Sequence, residues 1–288
     1  MRKIFLLAAV FMIMFSSIAQ ALSPKISEWW EGEMLTAVGQ GVAPINAPSV
    51  DKAKFFAKRA ATLDAYRKLA AQVSEIKITA DKTMLKSTVN AVIHDAEIIS
   101  EDYDDSGKYT VVLRVPIYGV DNSVAAAAFE RVEKENFPPP TENKIAQGNY
   151  TGLIIDCGDL ELNPVLAPAI RNADNQSIYG YSNLDYDKVI SKGMIGYVKK
   201  NSVMLLNSTG AKKFAQVGSN LLLADNDDTS RAGSNPLIIK AAALSDDNSC
   251  PVISTEDADK ILAENLSTHF LDEGSVVFTS NRIRGLRM

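Results

Sequence analysis

Met34-Leu35-Thr36-Ala37-Val38-Gly39-Gln40-Gly41-Val42 is the stretch on which the fold turns. It reads as a strand ending in Gly39-Gln40-Gly41, with the two glycines giving the backbone freedom for a tight bend. Pro44 to Pro48 follows as a loop, and Ser49 stands where a helix N-cap belongs. From there a long helix is predicted to about Val73. Phe56, Ala60, Leu63, Tyr66, Ala70 and Val73 recur at steps of three and four and are expected to form its buried face. Lys52, Lys58, Arg59, Asp64, Arg67 and Lys68 fall mainly on the other side.

Beyond the helix, Ile76 and Ile78 begin a short strand, and Lys82 to Asp95 is partly helical. Ala96–Tyr103 and Tyr109–Tyr118 read as two strands of a hairpin. Asp104-Asp105-Ser106-Gly107 supplies its turn. One long helix over a small antiparallel sheet is an α+β layer arrangement. Ser123 to Glu135 is read as a further helix. Asn136-Phe137-Pro138-Pro139-Pro140-Thr141 then breaks the pattern, because three prolines favour an extended chain. The expected organisation is therefore a first α+β domain over residues 23–136, a Pro-rich linker over 137–144, and a second domain over 145–288. Each domain is expected to pack a small, mainly antiparallel or mixed sheet against helices.

In the second domain, Tyr150–Cys157 is an apolar strand closed by Gly158-Asp159. Short strands are expected at Pro164–Ile170 and Ser177–Tyr181, around the turn Asn172-Ala173-Asp174-Asn175. A helix over Leu184–Lys192, strands at Met194–Val198 and Pro236–Ala243, a helix starting from Thr255 as N-cap, and a closing strand Ser275–Thr279 complete the order. The mixed order points to α+β or mixed α/β.

The chain opens with Arg2-Lys3, an apolar run from Ile4 to Phe15, and Ala19-Gln20-Ala21. This is the three-part pattern of a secretory signal over residues 1–21, and the run is shorter than the roughly 20 apolar residues a span needs. The expected location is the periplasm or the cell-surface side of an envelope, with no transmembrane segment in the mature chain. Net charge is −5, with 46% hydrophobic and 23% charged residues. That balance suits globular domains and disfavours a nucleic-acid partner. The two cysteines, Cys157 and Cys250, leave open either a disulfide in an oxidising compartment or two separate thiols.

Gly39-Gln40-Gly41 followed by Ala53, Ala57, Ala60-Ala61, Ala65 and Leu69, then Ile76-Lys77-Ile78, resembles a known pattern. It is similar to the domain of the LPP-twenty type envelope lipoproteins and to the N-terminal domain of flagellar assembly protein T, over residues 33–118. The resemblance implies an envelope protein that works by protein–protein contact, in envelope or flagellar assembly. No acylated cysteine is present, so membrane anchoring is not implied. In the second half, Tyr150–Asp156, Leu162-Asn163-Pro164, Ile178-Tyr179-Gly180, Gly193–Tyr197 and Asn235-Pro236-Leu237 resemble segments of exported bacterial proteins. That implies an envelope setting and no reaction.

The chemistry-bearing residues are few. His94 and His269, the only histidines, sit at predicted helix ends without partners at metal-ligand spacing, so no metal site is expected. Asp156-Cys157-Gly158-Asp159 closes a strand, where loops carry function. Yet a cysteine nucleophile needs an activating base, and only folding could bring His269 near. Gly39-Gln40-Gly41 lacks the third glycine and close helix start of a dinucleotide site. Glu101, Asp102, Asp104 and Asp105 lack the calcium-loop pattern and read as a solvated hairpin tip. Trp29-Trp30 packs over the first domain or offers an aromatic contact to a partner or bilayer interface. No catalytic, cofactor or metal residue is assigned. The expected function is a non-enzymatic envelope protein with a protein partner. The alternative is a periplasmic binding protein for a small ligand or envelope polymer, and behind it a hydrolase.

Overall fold

The computed structural model describes residues 34–79, 86–141, 145–146, 148–199, 203–204, 215–217, 220–224 and 231–284. Residues 1–33 lie outside them, and with them the signal segment and Trp29-Trp30.

The first sheet is built from β1 (Met34–Val42), β2 (Glu97–Tyr103) and β3 (Lys108–Pro116) in the order β1-β3-β2. β3 pairs antiparallel with both neighbours, in an unbroken register with β1 from Met34↔Pro116 to Val42↔Lys108. Leu35 and Ala37 of β1 and Tyr109, Val111, Leu113 and Val115 of β3 are buried on one face. Over that face lies α1 (Val50–Glu75), whose cap Ser49 accepts from the Lys52 N–H.

The buried side of α1 differs from the expected one. Ala57, Ala61, Ala65, Leu69 and Val73 are buried, whereas Phe56 and Leu63 are exposed. The cause lies in the two glycines of β1. A Cβ built on Gly39 would stand 2.1 Å from the Ala61 carbonyl oxygen, and one on Gly41 2.2 Å from that of Ala57. The helix backbone therefore rests directly on bare strand backbone, a space that alanine fills and phenylalanine cannot enter. The glycines make no bend, since β1 runs straight through both. They are there for close approach.

The same helix reaches the outer edge of β1 at three points. Asp64 accepts the Gln40 N–H at 3.1 Å, Lys68 donates to the Val38 carbonyl at 2.9 Å, and Gln72 to the Thr36 carbonyl at 3.2 Å. After α1, Lys77 and Ile78 do not join this sheet. Their carbonyls accept from Leu166 and Ala167 at 2.9 and 2.7 Å, stitching the first half to the second. α2 (Lys86–His94) leads into β2.

Only five of the thirteen residues expected as a helix after β3 are helical, α3 (Val124–Ala128). From Phe129 the chain is extended and runs along a row of tyrosines. Phe129 stacks on Tyr181, Arg131 lies over Tyr186, and Phe137 stacks on Tyr179 at centroid distances of 4.7, 4.4 and 6.3 Å. Ring burial at this spacing outweighs the helix preference of Glu130, Arg131, Glu133, Lys134 and Glu135. The Pro-rich segment continues as a strap. Thr141 donates through N–H (2.7 Å) and Oγ1 (2.5 Å) to the buried carboxylate of Asp259, and the Gly148 N–H donates to Glu264 at 3.1 Å.

The second half is organised by β4 (Gly152–Asp156), β8 (Gly196–Lys199), β12 (Pro236–Lys240) and β15 (Val276–Ser280). They form an all-parallel sheet in the order β12-β4-β15-β8. β4 and β15 are buried along their whole length, as inner strands of a parallel sheet are. β5 (Glu161–Leu162), β6 (Ile170–Asn172), β7 (Ser177–Tyr179) and α4 (Tyr186–Lys192) follow β4. β6 and β7 form the hairpin expected around Asn172–Asn175. β9 (Val203–Met204), β10 (Ala215–Val217) and β11 (Asn220–Ala224) make a small antiparallel sheet. β13 (Ala243–Leu244) and β14 (Pro251–Ile253) join β6 and β7 in a mixed sheet, and β16 (Arg282–Ile283) pairs with β5. α5 (Thr255–Thr268) is capped by Ser254, one residue earlier than expected, and Ser254 Oγ accepts from the Asp257 N–H. The fold is α+β, with a main hydrophobic core continuous from Leu35 to Phe278 and a second, smaller cluster of Ile154, Val198, Ala232 and Val277 among the described residues.

Candidate functional site

In an open parallel sheet, loops at the carboxyl ends of the strands are where ligands and reacting groups collect. Here those ends carry Asp156, Cys157, Gly158 and Asp159 from β4, and Thr279, Ser280 and Asn281 from β15. The register sets Thr279 opposite Asp156. The Cys157 N–H donates to the Thr279 carbonyl at 2.8 Å, and the Asn281 N–H to the Gly158 carbonyl at 2.8 Å, so the two strands stay zipped past their ends.

The polar groups of this end are engaged with one another. Asp156 Oδ1 accepts the Gly158 N–H at 2.9 Å, closing a tight turn in which Gly158 takes φ +56°. Asp159 accepts from Asn281 Nδ2 at 2.6 Å, and Ser280 Oγ donates to the Leu160 carbonyl at 2.5 Å. Among the described residues, Thr279 Oγ1 is buried with no hydrogen-bond partner. The sheet end is thus a set of strand-closing turns with one orphaned hydroxyl.

The structure separates Cys157 from His269. His269 is the left-handed C-cap of α5 (φ 55°), its side chain is 70% exposed, and its Nδ1 lies 3.6 Å from Asp272. It precedes β15, so it stands at the amino end of the parallel sheet, while Cys157 stands at the carboxyl end. A five-residue strand sets those ends roughly 16 Å apart. Cys157 and His269 therefore do not form a couple. Asp272 itself is pushed up by burial, but the hydrogen bonds from Lys134 and Asn265 outweigh this and hold its carboxyl below the usual range.

Cys157 and Cys250 are both buried and are not joined in a disulfide in the structure. Cys250 Sγ accepts from the Ala169 N–H at 3.4 Å and lies 3.3 Å from Ser249 Oγ. His94 is exposed at the last position of α2. At the hairpin tip, Asp104 accepts from Ser106 Oγ and N–H at 2.5 and 2.9 Å and from the Lys108 N–H at 3.1 Å. Glu101 pairs with Lys58 at 2.8 Å and accepts from the Tyr109 hydroxyl at 3.2 Å. These acids shape the turn and its flank. Among the described residues, no group of three or more His, Cys, Asp or Glu is placed to hold a metal ion.

Sequence reasoning missed the buried carboxylates of α5. Asp259 and Glu264 are 3% and 2% exposed, on a helix whose buried side also holds Ala258, Ile261 and Leu262. Acidic residues interrupting that apolar stripe were the available signal that something must pair with them.

Residues 152–282 match the family model described as Treponema pallidum Tp0624, second domain. The match begins with β4 and ends on β16, so it takes in the parallel sheet and its carboxyl end but leaves out β1–β3, α1 and the strap. A comparison with curated proteins finds no match.

Proposed function

We propose that this protein is a non-enzymatic component of a bacterial cell envelope that acts by binding another protein. The observation that carries this reading is the outer side of α1. Phe55, Phe56 and Leu63 are 60%, 41% and 61% exposed there. Large apolar side chains grouped on one element mark contact surfaces more often than idle ones. Export rests on the signal pattern of residues 1–21. No described helix is long and apolar enough to cross a membrane. An assembly role in the envelope or flagellum rests on the resemblance of residues 33–118 to the lipoprotein and flagellar domains.

The carboxyl end of the parallel sheet supports the same side. Its carboxylates Asp156 and Asp159 hold the Gly158 N–H and the Asn281 side chain, and His269 stands at the opposite end of the sheet. The test is a photo-crosslinking residue placed at Phe55 in the native host. A discrete crosslinked product with one envelope protein is expected, and its loss when the same residue is moved to Lys240 on the far sheet. Equal crosslinking from both positions would remove the basis of the reading.

A further inference from the structure

The two edges of the first sheet are treated differently. β1 has three of its outward backbone groups occupied, because Asp64, Lys68 and Gln72 reach across from α1 to the Gln40 N–H and the Val38 and Thr36 carbonyls. Among the described residues β2 has no such cover. The Asp104 N–H donates to the Lys108 carbonyl at 3.0 Å, which turns Asp104 and Asp102 toward β3. By the alternation of an antiparallel ladder, Glu101 and Tyr103 then direct their N–H and C=O groups outward. Among the described residues none bonds to them. A strand edge with two donors and two acceptors free is a template for another strand.

The chemistry along that edge selects what could add. From Asp95 to Gly107 there are six acids and no lysine, arginine or histidine. Glu97, Glu101 and Asp104 have ion-pair partners in Arg114, Lys58 and Lys108. Among the described residues Asp95, Asp102 and Asp105 have none. The register places Glu97, Ser100 and Asp102 on the outer face, opposite Arg114, Val112 and Thr110. Ile98, 45% exposed, lies on the helix side of the same strand, and Ile99 at the register shift is 42% exposed. A second copy of this chain is a poor occupant, since β2 against β2 would set acid against acid. We infer that β2 receives an extended segment of a partner protein in which lysine or arginine alternates with apolar residues. The basic side chains face Asp102 and the apolar ones face Ile98. Main-chain bonds hold the segment, and the charges choose it.

This assignment rests on the interaction reading above and names a different surface from α1, so the two can fail separately. The probe is a short fluorescent peptide alternating lysine and valine, with a glutamate–valine peptide as control, added to the purified full chain. The basic peptide is expected to bind at least about tenfold more tightly than the acidic one and to slow amide exchange within residues 97–103. Asp102→Lys is expected to weaken binding by about tenfold with thermal stability unchanged. Tyr103→Pro, which removes one outward N–H, is expected to abolish it. Absence of binding, binding without protection at 97–103, or indifference to Asp102→Lys would overturn the assignment. Dimerisation through β2 would overturn it too. If the peptide fails while crosslinking from Phe55 succeeds, the edge assignment falls and the interaction reading stands.

Discussion

Gly39 lies against Ala65 so closely that a Cβ on the glycine would stand 2.3 Å from the Ala65 backbone nitrogen. Both groups in that contact are backbone, so neither can swing aside. Gly39→Ala is therefore expected to force the helix off the sheet and to destabilise the chain by several kcal/mol, on the order of an overpacked core. Urea unfolding checks it. A midpoint unchanged from wild type would show that α1 does not seat as described.

The same seating fixes which side of α1 tolerates charge. Ala61 is fully buried and Ala60 is exposed. Ala61→Glu should cost about 3 kcal/mol or more by burying an unpaired carboxylate, whereas Ala60→Glu should stay within about 0.5 kcal/mol. Similar melting temperatures for the two variants would mean the buried side has been misassigned.

Asp64 links helix to strand edge in a pH-dependent way. Its bond from Lys68, aided by the Gln40 N–H and Arg67 and opposed by burial, holds its carboxyl down at about 2, against 3.8 normally. A carboxylate depressed in the folded state stabilises above its unfolded pKa and loses that contribution as pH falls through the folded value. Stability should therefore drop by on the order of 1–2 kcal/mol between about pH 4 and pH 2. Asp64→Asn should flatten that part of the profile. A profile for Asp64→Asn that parallels wild type across this window would refute the assignment.

Asp259 holds the strap. Removing its carboxylate leaves the Thr141 N–H and hydroxyl without their acceptor, at a cost of about 1–3 kcal/mol. Asp259→Ala is expected to be cut faster by protease between Phe137 and Gly148 than wild type, while α1 and the parallel sheet stay protected. Equal cleavage rates would show that the carboxylate does not tether the segment.

Much of this fold was legible in the sequence because its signals are local. The Ser49 cap, the Asp104–Gly107 turn, the Asn172–Asn175 turn and the apolar runs at β4 and β15 each depend on adjacent residues. The buried side of α1 was not legible, because hydrophobicity pointed to Phe56 and Leu63 while the deciding factor, the bare backbone of Gly39 and Gly41, lay on another element. The extended course after Phe129 was missed for a related reason. Tyr179, Tyr181 and Tyr186, which draw it out, come about fifty residues later in the chain. At the carboxyl end of the sheet, the positions of Asp156, Cys157 and Asp159 followed from the strand pattern. The distance to His269 did not, since it depends on β4 and β15 running parallel.

The most direct measurement of the central claim is complementation of a deletion strain by two variants whose envelope levels and folding are matched to wild type. Cys157→Ser with Asp159→Asn alters the groups an enzyme at the sheet end would need, and such changes cost orders of magnitude in rate. Phe55→Ser with Phe56→Ser alters the exposed side of α1. The first variant is expected to restore the wild-type phenotype and the second to fail. Failure of the first with full function of the second would contradict the central claim and move the activity to the carboxyl end of the parallel sheet.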